Sequence, residues 1–333
     1  MMRLTKRSLL GALVGLAAAG FAVATPEVAA QENKLTLMVD WAPHGMHAAL
    51  HLAVEKGWFE EAGIDVTVLD GKGSTSTIQQ TGAGQIDVGF AQLSAMAVAR
   101  SQGMPVVSIA CFVRGGDNGV MVPAGMGYNT LQDLKGKRIA YAAASTTGPF
   151  LDAFLKAGGV SRDDFEIINV DAASLVSTYT SGAADAVMST VAFFMPIVQS
   201  SRPTEGILWA DVGLRLPGYG LVVTPTTLEQ KDEALRKLVQ VQVKTWDYIF
   251  AGNEDEAVAA IIAQRPNERL DPEVLKGQLV AYMKLFDTPA TAGKPVGWQA
   301  EEDWAAALTA MEDANVLEPG SDPSEHFTNK YFE

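Results

Sequence analysis

LTLMVDWAPHGMHAALHLAVEKGWFEEAGIDVTVL, residues Leu35 to Leu69, changes its periodicity twice. Leu35 to Val39 reads as a short strand. Pro43 suits the first turn of a helix, because its missing N–H would have had no intrahelical partner. The helix runs to Lys56 and stops at Gly57, and Ile64 to Leu69 reads as a second strand. Working outward, Ile86 to Ala91 and Val106 to Phe112 repeat the strand signal, with helix-length segments between. A second series follows at Val120 to Val122, Arg138 to Ala142, Ile167 to Val170 and Ala186 to Ser189, before a return strand at Tyr219 to Thr224. Alternation of this kind predicts an α/β fold with largely parallel sheets.

Two breaks interrupt the pattern: Arg114-Gly115-Gly116-Asp117-Asn118-Gly119 and Leu216-Pro217-Gly218. They are the expected crossings between two α/β lobes. Lobe 1 would comprise residues 31–118 and 219–333, and lobe 2 residues 119–218. A weak internal echo fits two similar lobes: Asp70-Gly71-Lys72-Gly73-Ser74 precedes a helix in one half, Asp171-Ala172-Ala173-Ser174 in the other. From about Leu228 the chain turns helical, with Leu235, Leu238, Val239, Gln242, Trp246 and Ile249 at helix-like intervals. This tail is expected to cap the first lobe.

The N-terminus carries Arg3, Lys6 and Arg7, an apolar stretch from Leu9 to Val23, and Val28-Ala29-Ala30. That order predicts a secretory signal peptide, residues 1–30, and a periplasmic protein. Either the general or the twin-arginine export route is compatible with Thr5-Lys6-Arg7-Ser8-Leu9-Leu10. No later apolar stretch is long enough to cross a bilayer. Removing residues 1–30 takes away three basic residues and one acidic one, and moves the formal charge from −14 to −16. Such a surface repels nucleic acid and anionic lipid, so neither is an expected partner. Cys111 is the single cysteine, so no intramolecular disulfide can form and the core must carry the stability.

Three of the four histidines, His44, His47 and His51, lie three and four residues apart, roughly on one helix face. Spacing permits a metal site, but no Cys, Glu or Asp on that face completes a ligand set, so no metal is expected. His51 is expected to be packed or solvated, while His44 and His47 can reach what sits beyond the strand end. Ligands of open α/β sheets gather beyond the carboxyl ends of strands, where Asp40 and Trp41 lie. The Trp41 indole can be core, or a pocket wall offering a flat face for stacking. Gly73, Ser74 and Thr75 follow a strand and open a helix, either as a turn with an N-cap or as a cradle for a polar group. Ser145, Thr146 and Thr147 hold the same place in the second half, so two helix N-termini could clamp one small ligand. Gln92 and Ser94 after the strand ending at Ala91, Asp171 and Asp185 at strand ends of the second lobe, Phe193 as either pocket wall or core, and Tyr219 at the return strand complete the candidates. Arg114 could bind an anion but reads better as a hinge salt bridge.

Together, Asp40-Trp41-x-Pro43-x-x-x-His47-x-x-Leu50, Ala53, Lys56-Gly57-x-Phe59 and Ala62-Gly63-x-x-Val66 resemble the NMT1/THI5-like group of periplasmic substrate-binding proteins. The likeness continues through Gly84-x-x-Asp87-x-Gly89, Leu131-x-Asp133-Leu134-x-Gly136-Lys137-x-Ile139 and Asp185-Ala186-Val187. It implies a type II-like periplasmic-binding-protein fold that works as a monomer and hands a small molecule to an ABC transporter permease, without cofactor or turnover. The Asp-Trp-x-Pro opening looks most like the members that bind thiamine-precursor pyrimidines, and would make Trp41 the ring-stacking residue and His47 a pocket residue. Relatives that bind sulfonates, nitrate or taurine share the later motifs, and His44-Gly45-Met46 departs from the polar residues usual after the proline. Eukaryotic relatives are pyrimidine-synthesising enzymes that sacrifice a histidine and use a cysteine-rich motif. A signal peptide and a single cysteine argue against that chemistry here.

Overall fold

Mixed strand and helix segments must bury both faces of each sheet, and the chain does so twice. The computed structural model describes residues 33–143 and 145–332, so the expected signal peptide lies outside the described residues. The strands are β1 (Lys34–Met38), β2 (Asp65–Leu69), β3 (Val88–Gln92), β4 (Val107–Cys111), β5 (Asn118–Pro123), β6 (Arg138–Tyr141), β7 (Glu166–Asn169), β8 (Ala186–Thr190), β9 (Thr204–Leu208) and β10 (Tyr219–Val223). They form two five-stranded sheets, ordered β2-β1-β3-β10-β4 and β7-β6-β8-β5-β9. In the first, β1, β2 and β3 are parallel and β10 is antiparallel to β3 and β4; in the second, β5 is antiparallel to β8 and β9. The chain therefore leaves the first sheet after β4 and returns at β10. No helix among the described residues is long and apolar enough to cross a membrane.

Strand β9 escaped the sequence reading. Thr204-Glu205-Gly206-Ile207-Leu208 holds a glycine and a glutamate and has no clear apolar alternation. It is an edge strand, and its pairing with β5 supplies what local propensity lacks.

The first core joins Leu35, Leu37, Phe90 and Leu221 from the sheet to Leu238, Trp246 and Ile261 from the tail. Burying each such side chain contributes roughly 1.5–3 kcal/mol. Cys111, at the end of β4, is buried in a second core, and burial pushes its thiol up to about 12. The tail is more than a cap on the first lobe. Its Pro272–Met283 helix packs against both the Gly45–His47 turn and the Val191–Val198 helix that follows β8. The Glu301–Asp313 helix buries Trp304, Leu308 and Met311 in a core shared by Val106 and Val222 of the first half and by Val120 and Trp209 of the second. Gln278 shows why: its Oε1 accepts from Gly45 N (3.0 Å) and its Nε2 donates to Phe193 O (2.9 Å), so one side chain spans both halves.

Arg114 is a bridge, as expected, but it reaches the tail rather than the adjacent Asp117. Its guanidinium donates to the carbonyls of Phe286, Pro295 and Trp298 and pairs with Asp287 (2.6 Å). The first crossing is thereby pinned to the C-terminal segment.

Gly45 lies where the histidine turn meets the Pro272–Met283 helix, and a Cβ there would enter the backbone of Leu275 and Leu279. Overpacking of this kind typically costs about 1–3 kcal/mol, because backbone cannot swing aside as a side chain can. Gly45→Ala should therefore lower stability by about that amount in chemical denaturation. An unchanged midpoint would show that the tail helix yields freely at this contact.

Candidate ligand-binding site

Strand β1 delivers Asp40 to its carboxyl end, where the carboxylate is buried. Pro43 and His44 then start a short 3-10 turn, Gly45–His47, that runs into the Ala48–Glu55 helix. His44 caps the turn: its Nδ1 accepts from Met46 N at 3.3 Å. A ring nitrogen that accepts carries no proton, so the His44 proton sits on Nε2, which donates to Asp40 Oδ1 at 3.3 Å. His47 Nε2 reaches the same oxygen at 2.9 Å.

Burial alone would raise the Asp40 pKa, but the hydrogen bonds from His44 and His47 outweigh it and hold the carboxyl well below its usual range. Burial and the neighbouring His44 push His47 down to about 3, against the hydrogen bond to Asp40. His47 is therefore neutral at neutral pH, with Nδ1 left as an unpaired acceptor.

The premise that no carboxylate joins the histidines is thus overturned, since Asp40 comes from the strand rather than the helix. The donor atoms of Asp40, His44 and His47 all lie within 4.8 Å of one another. A metal on His44 Nε2 would require the proton on Nδ1, where it would meet the Met46 N–H. The capping bond therefore favours protons over a metal in this triad. His51 points away, with Nδ1 at 2.9 Å from Gln264 Oε1.

Around the triad lies an aromatic shell. The His44 ring is 5.3 Å from Phe193, 5.9 Å from Tyr219 and 5.9 Å from Tyr282, and Phe90 stacks on Tyr219 at 5.7 Å. Phe193 is contributed by the second half of the fold, so the cluster lies where the two sheets meet. Gln92 ends β3 opposite Tyr219 of β10, and its Nε2 donates to Asp117 Oδ1 at 3.1 Å. Asp117 is fully buried, and burial raises its pKa to about 6 despite that hydrogen bond.

The structure brings Asp40, His44, His47, Gln92, Phe193 and Tyr219 of the sequence candidates together. Asp117, Asn118, Gln278 and Tyr282 were missed. Asp117 and Asn118 lay in a Gly-rich break read only as a hinge, and Gln278 and Tyr282 lay in a helix read only as a cap.

Other candidates are spent locally. Ser74 Oγ accepts from Gln92 N (3.1 Å), Gly73 N donates to Asp40 O (2.5 Å), and buried Ser94 donates its N–H to Pro217 O (3.2 Å). Thr75 is exposed beside them. Ser145 Oγ turns back to Ala142 O (2.7 Å) and lies 2.9 Å from Thr147 Oγ1, with Thr146 half-buried between them. Asp171 is exposed after the edge strand β7. Asp185 needs correction: it precedes β8 and pairs with Arg138 (2.9 Å) at the start of β6. That is the amino end of the sheet, opposite the side where ligands gather. Trp41 is 39% exposed, outside the buried cluster.

Two α/β sheets, two crossings and a buried polar cluster between them are the build of the solute-binding proteins that serve ABC importers. The chain belongs to the NMT1/THI5-like family, whose model matches residues 44–257. It is 27% identical to the formylaminopyrimidine-binding protein of Halalkalibacterium halodurans over 287 residues, covering 85% of this chain and 86% of that one. It is 25% identical to a thiamine biosynthesis protein of Haemophilus influenzae over 242 residues, covering 72% and 76%. In structure it matches the periplasmic aliphatic sulphonate binding protein SsuA of Escherichia coli at a TM-score of 0.68 and 13% identity, over 88% of this chain and 91% of that one. The periplasmic nitrate-binding protein NrtA of Synechocystis matches at a TM-score of 0.62 and 16% identity, over 90% and 87%.

Two measurements follow. Dialysed protein should retain well under one equivalent of zinc, copper or nickel by elemental analysis; a full equivalent lost on His44→Ala/His47→Ala would reverse the reading of the triad. Asp117 binds its proton more tightly folded than unfolded, so its contribution to stability is full below pH ~4 and is lost as pH rises through about 6. Relative to the parent, Asp117→Asn should gain stability between pH 4 and pH 7.5 by on the order of 1–3 kcal/mol. Parallel denaturation curves at the two pH values check this, and an unchanged difference would refute it.

Proposed function

We propose that the protein captures a small heteroaromatic solute, a pyrimidine of the thiamine-precursor type, and presents it to an ABC importer permease outside the cytoplasm. In this reading residues 31–118 with 219–333 form one lobe, residues 119–218 form the other, and the two close on the solute without turnover. The observation that carries it is the buried site built from both halves, walled by Tyr219, Phe193 and Tyr282 around the Asp40, His44 and His47 triad. Flat aromatic walls suit a flat ring, with offset or edge contacts that add roughly 0.5–1.5 kcal/mol each beyond buried area. The formylaminopyrimidine-binding relative supports the same class of solute.

The runner-up is a sulfonate, nitrate or taurine carrier. Charge speaks against it. The strongest charges felt by Asp40, Asp117, Tyr219 and Tyr282 are those of one another and of His44 and His47, with no lysine or arginine among them. Arg114 is turned toward the tail. An anion placed there would face two carboxylates and no cation.

An enzyme related to the pyrimidine-phosphate synthases would need a nucleophile or a sacrificial histidine within reach of a cofactor. His44 and His47 are both engaged with Asp40, and Cys111 is a buried thiol. Capture without turnover is the simpler use of this arrangement.

Trp41 stands at the carboxyl end of β1 with part of its face open. In this reading it covers the bound ring when the lobes close. Mass spectrometry of small molecules released from purified, denatured protein should identify a substituted pyrimidine, and small-angle scattering should show contraction when that compound is added back. Trp41→Ala should weaken its binding by about 2–4 kcal/mol in calorimetry, the scale of interface hot spots. Recovery of an alkanesulfonate instead, or parent-like affinity of the variant, would overturn the reading.

A further inference from the structure

The site holds more hydrogen-bond acceptors than the protein itself can use. Asp117 spends Oδ1 on Gln92, yet its Oδ2 is buried and has no partner among the described residues. Because Gln92 donates Nε2 to Asp117, the amide orientation is set, and its Oε1 is likewise buried and unpaired. His47 Nδ1 and Asn118 Oδ1 are also buried without a partner among the described residues. Buried polar groups of folded proteins are normally satisfied, so two unpaired acceptors on the hydrogen-bonded pair Gln92 and Asp117 call for a donor from outside the chain. The Tyr282 hydroxyl, buried without a partner near the His44 ring, can donate as well as accept.

These groups are held by both halves of the fold. Gln92 ends β3 of the first sheet. Asp117 opens the second, where its carbonyl accepts from Val191 N (2.6 Å), and Asn118 is in register with Thr190 of β8. Their mutual geometry is therefore complete only when the lobes are together.

We propose that Gln92 and Asp117 form the specificity pole of the site and select a solute that presents N–H donors along one edge, an amino-substituted heteroaromatic ring. The proposal rests on the heteroaromatic reading above and deepens it. The exocyclic amine meets Asp117 Oδ2 and Gln92 Oε1, and the Tyr282 hydroxyl donates to an adjacent ring nitrogen. An oxo group in place of the amine would set one more acceptor against these acceptors, which is the kind of mismatch a hydrogen-bonding site rejects strongly. Asp117 is the decisive member, since an ionised carboxylate can only accept.

Calorimetry tests it with 4-amino-5-hydroxymethyl-2-methylpyrimidine and its 4-oxo counterpart. The parent should bind the amino compound at least about tenfold more tightly. Asp117→Asn, whose amide can donate as well as accept, should bring the two within about threefold of each other by weakening the first and strengthening the second. Gln92→Met, which removes an acceptor together with the Nε2 bond to Asp117, should reduce the preference in the same direction and stands in if the Asp117 variant does not fold. Equal binding of both pyrimidines by the parent, or a preference that survives both substitutions, overturns the proposal and leaves the heteroaromatic reading intact. If neither pyrimidine binds, the heteroaromatic reading falls and this proposal falls with it.

Discussion

One carboxylate oxygen, Asp40 Oδ1, receives hydrogen bonds from two imidazoles, and the rest of the site is arranged around that fact. A charge taken out of water is costly unless paired and hydrogen-bonded. Here the pairing comes from the turn that immediately follows the strand. Asp40 thereby fixes both rings, and His44, through its bond to Met46 N, fixes the start of the helix. The turn in turn offers Gly45 to the Pro272–Met283 helix, which can approach only because position 45 has no Cβ. Strand end, helix start and C-terminal tail are thus consequences of one buried interaction.

The tail gives the cleft its second constraint. Gln278 holds Gly45 and Phe193 at once, and Arg114 ties the first crossing to the segment after the same helix. These contacts join residues 233 and 173 positions apart in the chain. Hinge closure in proteins of this build is normally absorbed by a few residues at element ends. Asp117 sits at such an end and accepts from Gln92 of the first sheet, so in the proposed reading the same side chain would serve capture and closure.

Solute-binding proteins with this fold include carriers of sulphonate and nitrate, and a shared fold leaves the ligand undetermined. What distinguishes one member from another is the sign and direction of the polar groups in the cleft. In this chain those groups are carboxylates, amide oxygens and a neutral imidazole, lined by tyrosine and phenylalanine. The acidic net charge of the whole chain, −14, said nothing of this, because surface charge and cleft charge are independent.

Periodicity and punctuation in the sequence determined the alternation of strands and helices, the two breaks where the chain changes sheets, and the placing of Asp40, His44, His47, Gln92 and Tyr219 at strand ends. Each of these rests on local physics: a proline that fits a first turn, a glycine that stops a helix, β-branched runs that suit a pleated sheet. Only the tertiary structure decided which residues meet. Strand β9 exists because β5 lies beside it, and Asp185 faces the wrong end of its sheet because it pairs with Arg138. Asp117, Asn118 and Tyr282 carry no motif and each holds a buried polar atom without a partner among the described residues, while Gln278 is spent on Gly45 N and Phe193 O. The carboxylate that completes the histidine pair was invisible on the helix face because it belongs to the strand before it. Residue types and spacing encode the elements; which polar atoms lose their water, and so must find a partner, is set when those elements pack.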